Sequence, residues 1–104
     1  MPTDENIKTV CDRIIKDFRP LKVILFNIKH NPSGEATSFK LCVVMDTADK
    51  TEDEKRIYLD IDCDIPFDVL IYSPQEWDGL MFEKHSFAKR IMREGTYIYG
   101  SDPS

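Results

Sequence analysis

The chain is short of most residues that mark a specialised class of protein. Cysteine occurs three times, at positions 11, 42 and 63, widely spaced and with no C-x-x-C pair. An odd, scattered set argues against both a disulfide framework and a zinc knuckle. Long apolar runs are missing as well. The longest, residues 41–45, falls far short of the ~20 residues that a membrane-spanning helix needs. The start, Met1-Pro2-Thr3-Asp4-Glu5, has neither the basic end nor the apolar block of a signal peptide, which predicts a cytoplasmic chain. Positive charge is in deficit: 14 Lys and Arg against 19 Asp and Glu leave a net charge of -5. No basic face follows from that total, so nucleic acid is not the expected partner. Six prolines and four glycines are ordinary usage and point to no linker or low-complexity segment.

What is present is the balance of a globular domain. Hydrophobic residues make up 41% and charged residues 32% of 104, a mix that folds rather than one that stays solvated. A chain of this length hides roughly 60–70% of its unfolded surface, enough for one core. The expectation is a single domain over residues 1–104 with a disordered tail from about residue 100 to 104. The acid is concentrated: residues 46–68 hold nine acidic and three basic side chains, leaving the remainder close to neutral.

Periodicity supplies the elements. Ile7, Val10, Cys11, Ile14, Ile15 and Phe18 recur at intervals of three and four, the stripe of a helix over about residues 4–18. Thr3 or Asp4 can cap it, and Pro20 stops it. Residues 21–29 read as a strand whose run Val23-Ile24-Leu25-Phe26 suits burial on both faces. Residues 30–38 are dense in turn formers, and residues 39–47 read as a second strand. Thr51-Glu52-Asp53-Glu54 has the pattern of a capping box opening a helix with Ile57, Tyr58 and Ile61. After Pro66, residues 67–72 form a third strand, and Ser73-Pro74-Gln75-Glu76 caps a short helix with proline at its first position. A further helix over about residues 85–94 turns Phe87 and Ile91 inward and ends at Gly95, and residues 96–99 add a short edge strand. The fold class is therefore α+β: a small mixed β-sheet with helices packed mainly on one side.

This order and spacing resemble the minimal nucleotidyltransferase domains of the DNA polymerase β superfamily, over about residues 7–99. Ile24-Leu25-Phe26 is similar to the strand that precedes that family's Gly-Ser. Cys42-Val43-Val44-Met45-Asp46 resembles the end of its Asp-x-Asp strand. Phe67-Asp68-Val69-Leu70-Ile71-Tyr72-Ser73-Pro74 resembles the strand of the third acid and the turn beyond it, and Gly34-Glu35-Ala36-Thr37 its hairpin loop, displaced by about two places. Ser86, Phe87, Ile91, Gly95 and Tyr99 follow its closing helix and edge strand. The resemblance implies the nucleotidyltransferase-like form of the α+β class.

The chemistry that the resemblance implies is absent from the matching positions. Counted from Phe26, Asn27 and Ile28 stand in place of Gly-Ser, and Phe39 and Leu41 in place of the paired acids around Lys40. Asp68 alone remains of the three carboxylates. In the family the glycine lets backbone approach a triphosphate, the serine gives it a hydroxyl, and the carboxylates hold magnesium. Ile28 has no hydroxyl, and neither Phe39 nor Leu41 can bind a hard cation. The resemblance therefore implies a catalytically degenerate protein that acts through protein binding, with no cofactor expected. In prokaryotes such domains often accompany a small helical partner of the HEPN type, in pairs that resemble toxin–antitoxin modules, so the expected partner is that protein or a second copy. The alternative is an active enzyme using magnesium and a nucleoside triphosphate at a displaced metal site. Asp68 would then join Asp60, Asp62 and Asp64.

Each of these features also has a plain structural explanation. Asp68 suits a solvent-facing carboxylate at a strand start, and Asp62 and Asp64 a solvated turn before Pro66. Asp60 falls at a helix end, where an acid opposes the dipole. His30 and His85 lack the companions of a triad or metal site. Cys42, between apolar strand residues, reads as core. Lys29, Lys40 and His30 either surround a former triphosphate pocket or are simply solvated. Trp77 reads as packing rather than as a base platform. The candidate docking surface is the edge strand at residues 96–99 with the aromatics Trp77, Phe82 and Tyr97.

Overall fold

A computed structural model describes residues 5–100. They form α1 (Glu5–Phe18), β1 (Lys22–His30), β2 (Ala36–Val44), α2 (Lys50–Asp60), β3 (Phe67–Tyr72), α3 (Pro74–Met81), α4 (Phe87–Glu94) and β4 (Thr96–Tyr99). The sheet order is β3-β2-β1-β4. β1 runs antiparallel to β2 and β4, and β2 runs parallel to β3. The α+β class and mixed sheet follow directly, with α2 as the crossover that a parallel pair requires. The expected caps Thr3 and Asp4, and all of the expected tail beyond Gly100, lie outside the described residues.

Strand alternation divides the apolar residues between two faces. Val23, Leu25, Phe39, Leu41, Val43, Val69 and Ile71 pack with Ile7, Val10, Cys11 and Ile14 of α1 and Ile57 of α2. Ile24, Cys42 and Val44 pack on the opposite face with Trp77 of α3 and Ala88 and Ile91 of α4. The helices thus sit two on each face, not mainly on one. The cause is legible in β1 and β2. An unbroken apolar run presents side chains both ways, and each face must be covered.

Local chemistry accounts for most element ends. Arg19 turns left-handed at φ 49 after α1, its N–H donating to the Ile15 carbonyl at 3.1 Å, and Pro20 prevents continuation. Ser73 and Glu76 form the expected reciprocal capping box of α3. The expected box at Thr51 does not form. Asp49 caps α2 instead, accepting from the Glu52 N–H at 3.2 Å, while Thr47 donates to the Asp53 carboxylate. β2 starts at Ala36 and ends at Val44, earlier than the expected residues 39–47, because Ala36 and Ser38 pair with His30 and Lys29. α4 begins at Phe87 under a Ser86 cap, leaving Phe87 half exposed and burying Ala88 with Ile91. Gly95 ends α4 through close approach rather than a left-handed turn: a Cβ there would lie 2.6 Å from Ile24 Cγ2 and 2.7 Å from the Ile91 carbonyl.

Candidate functional site

The site begins with a break in the β1–β2 ladder. Phe26 pairs with Lys40 and Lys29 with Ser38, so β1 spends one residue more than β2 between these pairs. Asn27 sits in this bulge at φ 51, a left-handed conformation that asparagine tolerates better than most residues. The extra residue resets the alternation, and Ile28 packs into the α1–α2 face alongside Leu25.

Beside the bulge lies a cleft of about 410 Å³. β1 contributes Asn27, Ile28 and Lys29; β2 contributes Ser38, Phe39 and Lys40; the approach to β3 and its start contribute Pro66, Phe67 and Asp68. Two smaller hollows adjoin it through shared residues. One, of about 260 Å³, is bounded by Phe26, Lys40, Asp68, Leu70 and Phe87. The other, of about 280 Å³, is bounded by Phe26, Asn27, Phe87, Arg90 and Glu94. Phe26 and Phe87 meet edge-on between them, with ring centroids 5.9 Å apart.

Of the five candidate positions, Asn27, Ile28, Phe39 and Asp68 line this cleft, and Leu41 does not. Leu41 is fully buried, and Phe39 is 1% exposed with its ring stacked on Phe67 at 5.5 Å. Both belong to the α1–α2 face. Asp68 pairs with Lys40 in the parallel ladder, which places it on the other face, alternate to Val69. The three positions that the resemblance aligns with carboxylates therefore do not converge.

The charges around the cleft are those of two lysines and one acid. Lys29 and Lys40 are exposed, and neither ammonium has an ion-pair partner among the described residues. Asp68 is exposed and lies near enough to Tyr58 to raise its pKa, an effect smaller than that of burial. The Tyr58 hydroxyl accepts the Val69 N–H at 2.8 Å, occupying a backbone donor of edge strand β3. Magnesium needs several oxygen ligands, and the ladder neighbour of Asp68 is a cation. Among the described residues, no three His, Cys, Asp or Glu side chains gather as an ion-binding group. Asp60 ends α2, and Asp62 and Asp64 are exposed in the following turn.

The remaining candidates fall outside the cleft. His30 and His85 are exposed. Cys42 is buried, and burial pushes its thiol up to about 12, as it does for Cys11, so neither is a nucleophile near neutrality. Trp77 is core at 2% exposure, tilted against Tyr72; it offers no docking surface. Tyr97 is half buried with the Lys22 ammonium over its ring, whereas Phe82 is 90% exposed. The β4 edge is short and carries an extra residue between Tyr97 and Tyr99 against β1, a bulge that blunts strand addition. Sequence reasoning missed the bulge itself; a lone Asn within Val23-Ile24-Leu25-Phe26-Asn27-Ile28 was its signal.

No protein-family model, curated protein or solved structure matches this chain. No helix among the described residues is long and apolar enough to cross a membrane.

Proposed function

We propose that this chain is a catalytically degenerate, nucleotidyltransferase-like protein of the prokaryotic cytoplasm that acts by binding another protein rather than by group transfer. The resemblance in element order is the starting point. The observation that carries the reading is the fate of Phe39 and Leu41. Side chains at the positions of the metal-binding acids are packed into the α1–α2 core, and Asp68 stands on the opposite face beside Lys40. A hard-cation clamp needs convergent oxygens, and this arrangement supplies one carboxylate. The partner in this reading is a small helical protein of the HEPN type, forming a toxin–antitoxin-like pair, or a second copy of the chain.

The test is label transfer from each nucleoside triphosphate, with magnesium, to RNA and to a co-purifying helical protein. The expected outcome is no transfer above a protein-free control. Transfer that Asp68→Asn abolishes would replace this reading with a displaced-metal enzyme.

A further inference from the structure

We propose that the cleft is one half of a two-fold interface between copies of this chain, each copy placing its acidic turn against the cleft lysines of the other. This deepens the binding reading above and rests on it. Three observations carry it. The cleft is locally basic in an acidic molecule: Lys29 and Lys40 line it against Asp68 alone, while the chain has a net charge of -5. The segment entering the cleft wall at Pro66 carries Asp60, Asp62 and Asp64, all exposed. Beside those acids Leu59 is 78% exposed, and the cleft offers an apolar surface from half-buried Ile28 and Phe67 over the enclosed ring of Phe39.

A basic hollow with an exposed acidic segment next to it, preceded by the exposed Leu59 at the end of α2, is complementary to itself. A two-fold axis makes every contact twice, so each cleft meets a turn and each turn meets a cleft. Parallel alignment of the same patches would set acid against acid and lysine against lysine. The charge pattern excludes that alignment; a head-to-tail pair would leave one cleft and one turn unpaired, whereas the closed two-fold dimer uses both. Leu59 supplies the apolar contact that exposed ion pairs need, since alone they contribute little.

Sedimentation equilibrium of the intact chain tests this. The wild type is expected to dimerise, with Kd rising about tenfold or more between about 50 and about 500 mM salt as screening removes the charge contacts. Lys29→Glu with Lys40→Glu in one chain, and Asp62→Lys with Asp64→Lys in another, should each give monomers. Their equimolar mixture should restore the dimer, because both contacts then join opposite charges again. A wild type that stays monomeric at low salt would overturn the proposal, as would a salt-insensitive dimer or a mixture that remains monomeric. Circular dichroism reports whether each variant folds. If a charge-reversed chain does not, Lys40→Gln and Asp62→Asn take its place; each should raise Kd about threefold or more, and an unchanged Kd overturns the proposal. A monomer leaves the label-transfer result standing, whereas label transfer overturns the underlying reading whatever the sedimentation shows.

Discussion

Asn27 and Leu41 decide the character of the cleft one side chain at a time. With Asn27 at φ 51, a β-branched residue there is strained, and Asn27→Val should cost about 1–2 kcal/mol in denaturant unfolding, while Asn27→Gly should be close to neutral. An equal loss for both would mean that the amide side chain, not the backbone angle, matters. Leu41 is wholly enclosed. Leu41→Asp buries a carboxylate without a partner and should destabilise the fold by about 2–4 kcal/mol. An unchanged melting temperature would show the position to be open. The thiols give a third residue-level check. Cys11 and Cys42, raised to about 12, should resist a thiol reagent near pH 8 until the chain unfolds, and half-buried Cys63 should react first. Because folding raises these two pKa values, their contribution to stability is complete below the unfolded value and declines as pH rises through 9.0 toward 12.

At the scale of elements, α3 shows what local sequence can specify. Ser73 accepts the Glu76 N–H at 3.1 Å and Glu76 accepts the Ser73 N–H at 3.0 Å, so Ser73→Ala should lower stability by about 1 kcal/mol. Glu76 also receives the Lys50 ammonium at 2.7 Å, joining the starts of α2 and α3. The Lys50 hydrogen bond, followed by that of the Ser73 backbone, holds the Glu76 carboxyl below its ordinary 4.5. A depressed carboxylate stabilises above its unfolded pKa and loses that contribution as pH falls through the folded one. Glu76→Gln should therefore flatten part of the acid limb of a stability–pH curve, and an identical limb would deny the coupling.

The α1 stripe and this capping box are readable because they depend on neighbours three or four residues away, and the third strand because it is a short apolar run between Pro66 and Ser73-Pro74. β2 is not. Ala36-Thr37-Ser38 has the composition of a loop, and only pairing with Lys29 and His30 makes it strand. α2 is capped at Asp49 rather than Thr51 because the Asp49 carboxylate accepts the Glu52 N–H. The bulge at Asn27 and the two-faced helix packing left local signs, a lone Asn in an apolar run and the run itself, whereas the meeting of Ile28, Phe39 and Asp68 at one cleft depends on strand register, which no local pattern encodes. The apolar character of Ile28, Phe39 and Leu41 is visible in the sequence; the opposite facing of Asp68 is not.

Across the whole molecule, a sheet packed on both faces places an apolar-floored, lysine-bordered cleft beside the turn of an acidic segment. In the resemblance that end of the fold holds metal and triphosphate; here it offers Phe39, Lys40 and one acid. In the proposed reading the cleft has no convergent carboxylates to hold magnesium, so a triphosphate would meet only Lys29 and Lys40 beside Asp68. Metal activation contributes several kcal/mol to hydroxyl attack, and each 1.4 kcal/mol is about tenfold in rate. The central claim is therefore tested most directly by calorimetric titration of the purified chain with each nucleoside triphosphate, with and without magnesium. The account predicts no magnesium-dependent binding in the micromolar range. Micromolar binding that requires magnesium and is lost in Asp68→Asn would contradict it.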